Sequence, residues 1–481
     1  MKQYEARMGL EVHVELKTAS KLFCGCRAAF GGTANTQVCP VCLGYPGALP
    51  VVNRHATELA VAIGLALGCD IARVSRFDRK NYFYPDNPQN YQITQWYLPI
   101  ATNGSVSIET ESGEKKIRIR QMHMEEDAGK LVHEDGQTRI DYNRSGIPLV
   151  EIVTEPDFST GEEVIAFLEK LRLRIQYLGA SDCRMQEGSL RVDVNLSVRE
   201  CGSSALGVRT EMKNLNSFRS VLLAIEQEEK RQIAVLEAGG AIVQETRRWL
   251  EQENTSVAMR KKETAGEYRY FPDPDLPPLI VDRELLEKVA KKRPEFREEK
   301  IERYKAEYGL SGYDAVILTS SVQLATLFEE TTAICKEPKE VSNWLMTETQ
   351  RLLREQGQDA EDLSVAPEAL ATLIFYIKEG KINRTIAKEV YEKVFLERVD
   401  PETYIRANGL FMEESADILE ETAWLVLKEC KKSVEDYRAG KEKALGFLVG
   451  QMMKRLGGKA NPAKVTEILR KCLQIDAAGK E

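Results

Sequence analysis

In Leu10-Glu-Val-His-Val-Glu-Leu16 apolar and polar side chains alternate strictly, with Leu10, Val12, Val14 and Leu16 set against Glu11, His13 and Glu15. Successive side chains of a β-strand point to opposite faces, so a period of two predicts a strand with one apolar and one polar face. The pattern recurs in Leu190–Val198, where Arg191, Asp193, Asn195 and Ser197 oppose Leu190, Val192, Val194, Leu196 and Val198. Shorter alternating runs occupy Lys115–Arg120 and Val208–Lys213, the latter with Arg209, Glu211 and Lys213 on one side. Two segments break into other periods. Thr57–Gly68 is almost wholly apolar and predicts a buried helix, and Glu163–Leu178 lines up Ile165, Leu168, Leu171, Ile175 and Leu178 on one helical face.

A proline cluster, Phe271-Pro-Asp-Pro-Asp-Leu-Pro-Pro278, supports neither a helix interior nor a central strand and closes this strand-rich region. From about Leu285 the pattern turns helical, punctuated by Ser364-Val-Ala-Pro367, by Gly380 and by a further break at Asn408-Gly409. Strands followed by helices predict an α+β fold. The expected domains are 1–285, 286–407 and 408–481.

Composition narrows the class. Of the 481 residues, 43% are hydrophobic and 30% charged, a globular balance, and no apolar run is long enough to span a bilayer. Charges at Glu5, Arg7, Glu11 and Glu15 rule out the apolar core of a signal peptide, which makes the cytoplasm the expected compartment and a membrane an unexpected partner. The net charge of −8 conceals an asymmetry. Residues 430–481 carry twelve Lys and Arg against six Asp and Glu, a net of +6 that leaves about −14 on the rest. A basic tail on an acidic body suits a polyanion at one end and metal elsewhere, although a solvated charged helix has the same composition.

Four of the ten cysteines fall within 19 residues, as Cys24-Gly-Cys26 and Cys39-Pro-Val-Cys42. Two such pairs separated by twelve residues can close a tetrahedral four-sulfur zinc site, and with no open coordination position its role would be structural. If the alternating strands share one sheet, its polar face gathers Glu11, His13, Asp193 and Glu211 with Arg191, Arg209 and Lys213. Carboxylates and an imidazole suit Mg²⁺, and cations suit phosphate, the equipment of phosphoryl transfer. On any single strand the same polar side would be an ordinary solvent-facing surface. Gln121-Met-His-Met-Glu-Glu-Asp127 adds three acids beside His123, and which of Glu125 and Glu126 faces the site is left open because the alternation fades at Met122. Glu151 interrupts the apolar run Ile147–Val153, so it needs a metal or an ion pair, with Arg144 as the obvious partner. The segment from Arg79 to Gln92 interleaves cations, aromatics and turn residues, a composition able to stack on a base but equally that of a packed loop. No P-loop, dinucleotide fingerprint or nucleophile elbow occurs, so ammonia for an amidation would have to come from another polypeptide.

These motifs closely resemble the GatB family, the kinase-and-transamidase component of the bacterial aspartyl/glutamyl-tRNA amidotransferases. The residues that carry the likeness are GLEVHVEL at 9–16, the two cysteine pairs with CPVCLGYPGALPVVN, RKNYFYPDNPQNYQITQ at 79–95, HMEEDAGK at 123–130, DYNRSGIPLVEIVTEPD at 141–157, EGSLRVDVNLSV at 187–198, TEMKNLNSF at 210–218, EYRYFPDPDLPPL at 267–279 and FLVGQMMKRLGGKANP at 447–462. The resemblance implies a glutamine-synthetase-like antiparallel cradle, then a helical domain, then a small helical tail. It implies ATP-dependent phosphorylation of the side-chain carboxylate of Glu-tRNA(Gln) or Asp-tRNA(Asn), followed by amidation. Ammonia would come through a channel from a separate glutaminase subunit, and a third, clamping subunit would hold the two large ones together. Carried onto this chain, the Mg²⁺ ligands would be Glu11, His13, Glu125 or Glu126, Glu151, Asp193 and Glu211. His13, Glu126, Glu151, Asp193, Arg191 and Lys213 form the expected catalytic set, with Arg191 and Lys213 on the ATP phosphates. Lys454, Arg455 and Lys459 would meet tRNA phosphates. The competing readings are a stand-alone ligase acting on a free amino acid and a non-catalytic, zinc-containing tRNA scaffold.

Overall fold

The alternating segments fold into one large sheet. The computed structural model describes residues 4–111, 113–261, 266–412 and 415–478. Its first compact unit ends at Phe296 and its second begins at Arg297. The first opens with β1 (Tyr4–Glu15), α1 (Arg54–Ala66), β2 (Asp70–Ile71), β3 (Val74–Asn81), β4 (Tyr91–Leu98), β5 (Ala101–Thr110) and β6 (Gly113–Glu126). Next come β7 (Lys130–Glu134), β8 (Gln137–Asp141), β9 (Pro148–Thr154), α2 (Gly161–Tyr177), β10 (Leu190–Glu200), β11 (Thr210–Leu215) and α3 (Phe218–Glu237). The unit closes with β12 (Glu245–Leu250), β13 (Thr255–Lys261), β14 (Phe271–Pro272), β15 (Leu279–Ile280) and α4 (Arg283–Lys291).

The main sheet has nine strands in the order β13-β12-β11-β10-β1-β9-β6-β5-β2, antiparallel at every pairing except β11 with β12. A smaller sheet pairs β3 with β4, β14 and β15, and β7 with β8 form a hairpin. Leu10, Val12, Val14 and Leu16 are all buried, as the alternation requires, and they join Val150, Ile152, Val192 and Val194 in one core with the apolar sides of α1, α2 and α3. Asn53, Thr160 and Ser217 cap those three helices through their side chains. On α2 the buried stripe centres on Val164, Phe167, Leu168, Leu171 and Ile175, so Ile165 and Leu178 are only half-buried at its edge.

A bulge in β6 decides what the polar face contains. Ile119 pairs with Thr154 and Gln121 with Val153, so Arg120 is an extra residue opposite one step of β9. A single inserted residue reverses the side-chain phase of everything beyond it. Before the bulge Ile117 and Ile119 enter the core, and after it Met122 and Met124 do. The fading alternation at Met122 in the sequence is this reversal. A second irregularity, at Asn214 with φ 67°, inserts a residue into β11 between the pairs Val194 with Met212 and Val192 with Leu215. β11 also starts at Thr210, later than the alternation suggested, and it leaves Val208 and Arg209 exposed.

Leu285, Leu286 and Val289 pack against the first unit's core, so α4 belongs to that unit. The described residues of the second unit form helices around two apolar clusters. One contains Tyr304, Phe328, Trp344 and Tyr391, and the other Leu419, Leu448 and Leu469. Gly380 and Gly409 end helices in the left-handed region at φ 73° and 55°. Ser364 does not cap the helix that begins at Pro367; its hydroxyl accepts from Arg398 instead. No helix among the described residues is long and apolar enough to cross a membrane.

Candidate active site

Strand register brings the polar residues together. Glu11 lies opposite Asp193, His13 opposite Arg191 on one side and Glu151 on the other, His123 opposite Glu151, and Asn195 opposite Glu211. Two clusters of ligand-type groups result, each with its ligand atoms within 4.8 Å of one another: His13, Glu125 and Glu151, and Glu11, Asp193 and Glu211. They meet on β1, where Glu11 and His13 are neighbours on the same face. Octahedral Mg²⁺ sets neighbouring oxygens about 3 Å apart and opposite ones about 4.2 Å apart, so both donor sets suit a hard divalent cation after small adjustments.

In the first cluster His13 Nε2 lies 3.4 Å from Glu125 Oε1 and 3.5 Å from Glu151 Oε2. His123 Nε2 lies 3.1 Å from Glu151 Oε2 and 3.7 Å from Glu125 Oε2, while its Nδ1 is buried without a hydrogen-bond partner. Burial works against charge on both imidazoles, yet the adjoining carboxylates outweigh it, raising His13 and pushing His123 up to about 10. Burial likewise opposes charge on Glu151, and the two histidines prevail, holding its carboxyl well below the ordinary range. A coordinating imidazole nitrogen must be deprotonated, so a divalent cation held by His13 would have to displace its proton.

The second cluster is more anionic. Lys213 Nζ sits 2.5 Å from Asp193 Oδ2 and 3.5 Å from Glu211 Oε1. Asn195 donates to Glu11 Oε1 at 3.0 Å, and Thr246 donates to Glu211 Oε2 at 2.7 Å. One ammonium faces three carboxylates. Burial disfavours charge on Lys213, but Asp193 and Glu211 more than compensate, so it stays a cation far above neutral pH.

Beside both clusters, buried Asp127 accepts from Arg144 at 2.6 and 3.0 Å and from Arg191 at 2.8 Å. Burial would raise its pKa, and the two guanidiniums bring it below the ordinary value. Arg144 also reaches Glu15 Oε2 at 3.4 Å. It therefore pairs with Asp127 and Glu15, and Glu151 pairs with the two histidines instead of with Arg144.

The bulge assigns the two glutamates of the Met-Glu-Glu motif to opposite faces. Glu125 joins His13 and Glu151. Glu126, expected in the catalytic set, turns to the other side of the sheet, where Gln89 donates to it at 2.5 Å and the Ile93 amide at 3.1 Å. Its complete burial pushes the carboxyl up to about 8. The alternation beyond the bulge is the physical reason: Met122, Met124 and Glu126 share one side, His123 and Glu125 the other. The sequence named His123 and Asp127 only as members of the acidic motif and Arg144 only as a partner for Glu151; their places in the site depend on the bulge and on a return loop.

The cysteines also converge. Cys24, Cys26, Cys39 and Cys42 bring their sulfurs within 4.8 Å of one another, and those of Cys39 and Cys42 are 3.9 Å apart. Zinc–sulfur bonds of about 2.3 Å in a tetrahedron separate sulfurs by about 3.8 Å, so this donor set fits zinc. Elsewhere, Arg79 is held by Asp273 at 2.9 Å and Asp275 at 2.7 Å and lies 4.2 Å over the Tyr91 ring, a packed arrangement. In the tail, Arg455 pairs with Glu429 at 2.6 Å and Lys459 donates to the Gly409 carbonyl at 2.7 Å, whereas Lys454 is exposed.

A large sheet whose polar face carries two adjoining clusters of ligand-type groups between arginines and a lysine, followed by helices, defines a class, that of α+β enzymes. Sequence comparison specifies the family within it. The GatB/GatE catalytic domain matches residues 6–287, and the GatB domain matches 326–473. The aspartyl/glutamyl-tRNA(Asn/Gln) amidotransferase B subunits of Lachnoclostridium phytofermentans and Agathobacter rectalis are each 56% identical over 475 residues, covering 98% of this chain and 99% and 100% of theirs. That of Caldicellulosiruptor saccharolyticus is 52% identical over 477 residues, 98% of this chain and 99% of its own. The chain belongs to the GatB/GatE family of tRNA-dependent amidotransferase subunits.

Proposed function

We propose that this chain activates the side-chain carboxylate of a glutamate or aspartate carried on tRNA by phosphorylating it with ATP, then amidates it with ammonia delivered from a glutaminase subunit, with a third, clamping subunit completing the assembly. The observation that carries the reading is the pair of adjoining donor clusters, His13 with Glu125 and Glu151, and Glu11 with Asp193 and Glu211, inside the segment matched by the family's catalytic domain. A carboxylate resists attack by ammonia because its leaving group would be oxide, and an acyl phosphate supplies a good one. Divalent cations bound in these clusters would neutralise phosphate charge and polarise the transferred group.

The chain's own residues do the positioning. Carboxylates on five strands of one sheet fix the cluster geometry with little freedom to move. Arg191 is oriented by Asp127 and Lys213 by Asp193, and each side chain keeps close to half its surface open, so either head group can turn to a phosphate oxygen. His123 orients Glu151 and Glu125 toward His13. The four-cysteine knuckle would hold structural zinc, and exposed Lys454 would meet the tRNA backbone.

The test is ATP hydrolysis dependent on misacylated Glu-tRNA(Gln) or Asp-tRNA(Asn), by the chain assembled with its glutaminase and clamping partners. His13→Ala is expected to abolish it while tRNA binding persists. Equal turnover in both proteins would remove the catalytic assignment and leave a tRNA-binding scaffold.

A further inference from the structure

Lys21 is fully buried. Its ammonium lies 3.5 Å from Cys42 Sγ and 3.3 Å from the Tyr142 carbonyl oxygen, and among the described residues no carboxylate forms an ion pair with it. An ammonium taken out of water is costly without an anion beside it. A carbonyl supplies a dipole and a neutral thiol very little. A thiolate supplies the charge, and four thiolates around one zinc ion leave that centre with a net double negative charge.

We propose that Lys21 is the counter-ion of the four-cysteine metal centre, donating an N–H···S hydrogen bond to the metal-bound Cys42 thiolate and offsetting part of the centre's negative charge. The inference rests on reading the cysteines as a zinc site. Further contacts build the same environment. The Cys39 amide donates to Cys42 Sγ at 3.2 Å, a second hydrogen bond to the same sulfur. The Lys21 amide donates to the Cys26 carbonyl at 2.9 Å, which fixes the lysine backbone against the first cysteine pair. Ser145 donates to the Cys42 carbonyl at 3.1 Å, and Leu22 N to the Gly146 carbonyl at 2.8 Å, docking the knuckle on the loop that carries Arg144. Lys21 is thus held at a fixed distance from the sulfur, not free to swing to solvent.

Groups in this outer position typically change metal affinity about 10–100-fold when removed. The experiment uses the full chain and the isosteric, uncharged Lys21→Met, with the exposed Lys17→Met as control. Zinc release to a chromophoric chelator is expected to quicken at least tenfold in Lys21→Met and not in Lys17→Met. The sulfur-to-metal charge-transfer bands of the cobalt-substituted protein are expected to shift. Thermal unfolding separates a counter-ion from a merely structural lysine. Lys21→Met should destabilise the zinc-loaded chain, where it removes the counter-charge to the metal centre, by clearly more than it changes the zinc-free chain. An equal change in both forms, or unchanged release and spectra, would overturn the assignment. A Lys21→Met chain that does not fold even with zinc would overturn it as well, since losing an outer-shell charge weakens a metal site without removing it. Wild-type chain that binds no zinc would overturn the metal site and this inference together.

Discussion

Magnesium should stabilise the first unit measurably, and the two clusters set the scale. At an effective dielectric constant of about 20, two unit charges about 4.8 Å apart repel by roughly 3.5 kcal/mol. Glu11, Asp193 and Glu211 make three such pairs, and the Lys213 ammonium offsets only part of that repulsion. A cation that relieves the rest binds the folded chain and not the unfolded one. At a hundred times its dissociation constant it contributes about 2.7 kcal/mol. For a unit of this length each kcal/mol moves the midpoint by about 2 °C, so the expected rise is about 5 °C for each occupied cluster and about 10 °C for the two together. The assay is scanning calorimetry in MgCl2 against NaCl at matched ionic strength, which removes general screening from the comparison. Asp193→Asn and Glu151→Gln, one from each cluster, should each remove about half of the rise, and the double variant nearly all of it. A double variant that keeps the wild-type response would refute the placement of cations on this face.

The two adjacent glutamates should behave oppositely in the same assay: Glu125→Gln weakens the magnesium response, and Glu126→Gln, on the far side of the sheet, leaves it intact. Asp127→Asn leaves Arg144 and Arg191 without their shared anion and should cost about 3 kcal/mol in denaturant titration, the low end for a broken buried pair because both guanidiniums keep some solvent contact. Glu228 is buried and accepts from Arg231, Gln232 and Thr210. Burial would raise its pKa, but those donors bring it below 4.5 in the folded chain. Its contribution is therefore full above about pH 4.5 and fades as pH falls through the lowered value. Glu228→Gln should cost about 1–3 kcal/mol at pH 7 and progressively less below pH 4.5, as followed by urea unfolding at each pH; a cost independent of pH would contradict the assigned ion pair.

What could be read from the sequence follows from how local each cause is. The polar faces of β1 and β10 were legible because a period of two fixes side-chain direction without knowledge of the partner strand. The convergence of the four cysteines was legible because the two pairs are close in sequence. Arg144 was not, since a return loop swings it to Asp127 and Glu15 and away from Glu151. Lys21 was not either, because its sequence neighbourhood gives no sign of complete burial beside a sulfur. The bulge at Arg120 is the clearest case. The sequence shows only that the alternation fades at Met122, not that Arg120 is the inserted residue; the bulge exists because β9 offers one fewer residue across that step. Yet the site depends on it. Without the phase reversal, Ile117 and Ile119 in the core would force His123 and Glu125 in after them, burying two titratable groups and exposing Met122 and Met124. With it, one strand serves the apolar core along its whole length and still delivers an imidazole and a carboxylate to the face where His13 and Glu151 stand. The bulge, more than any single side chain, is what makes a half-buried sheet able to carry a metal-type cluster at that position.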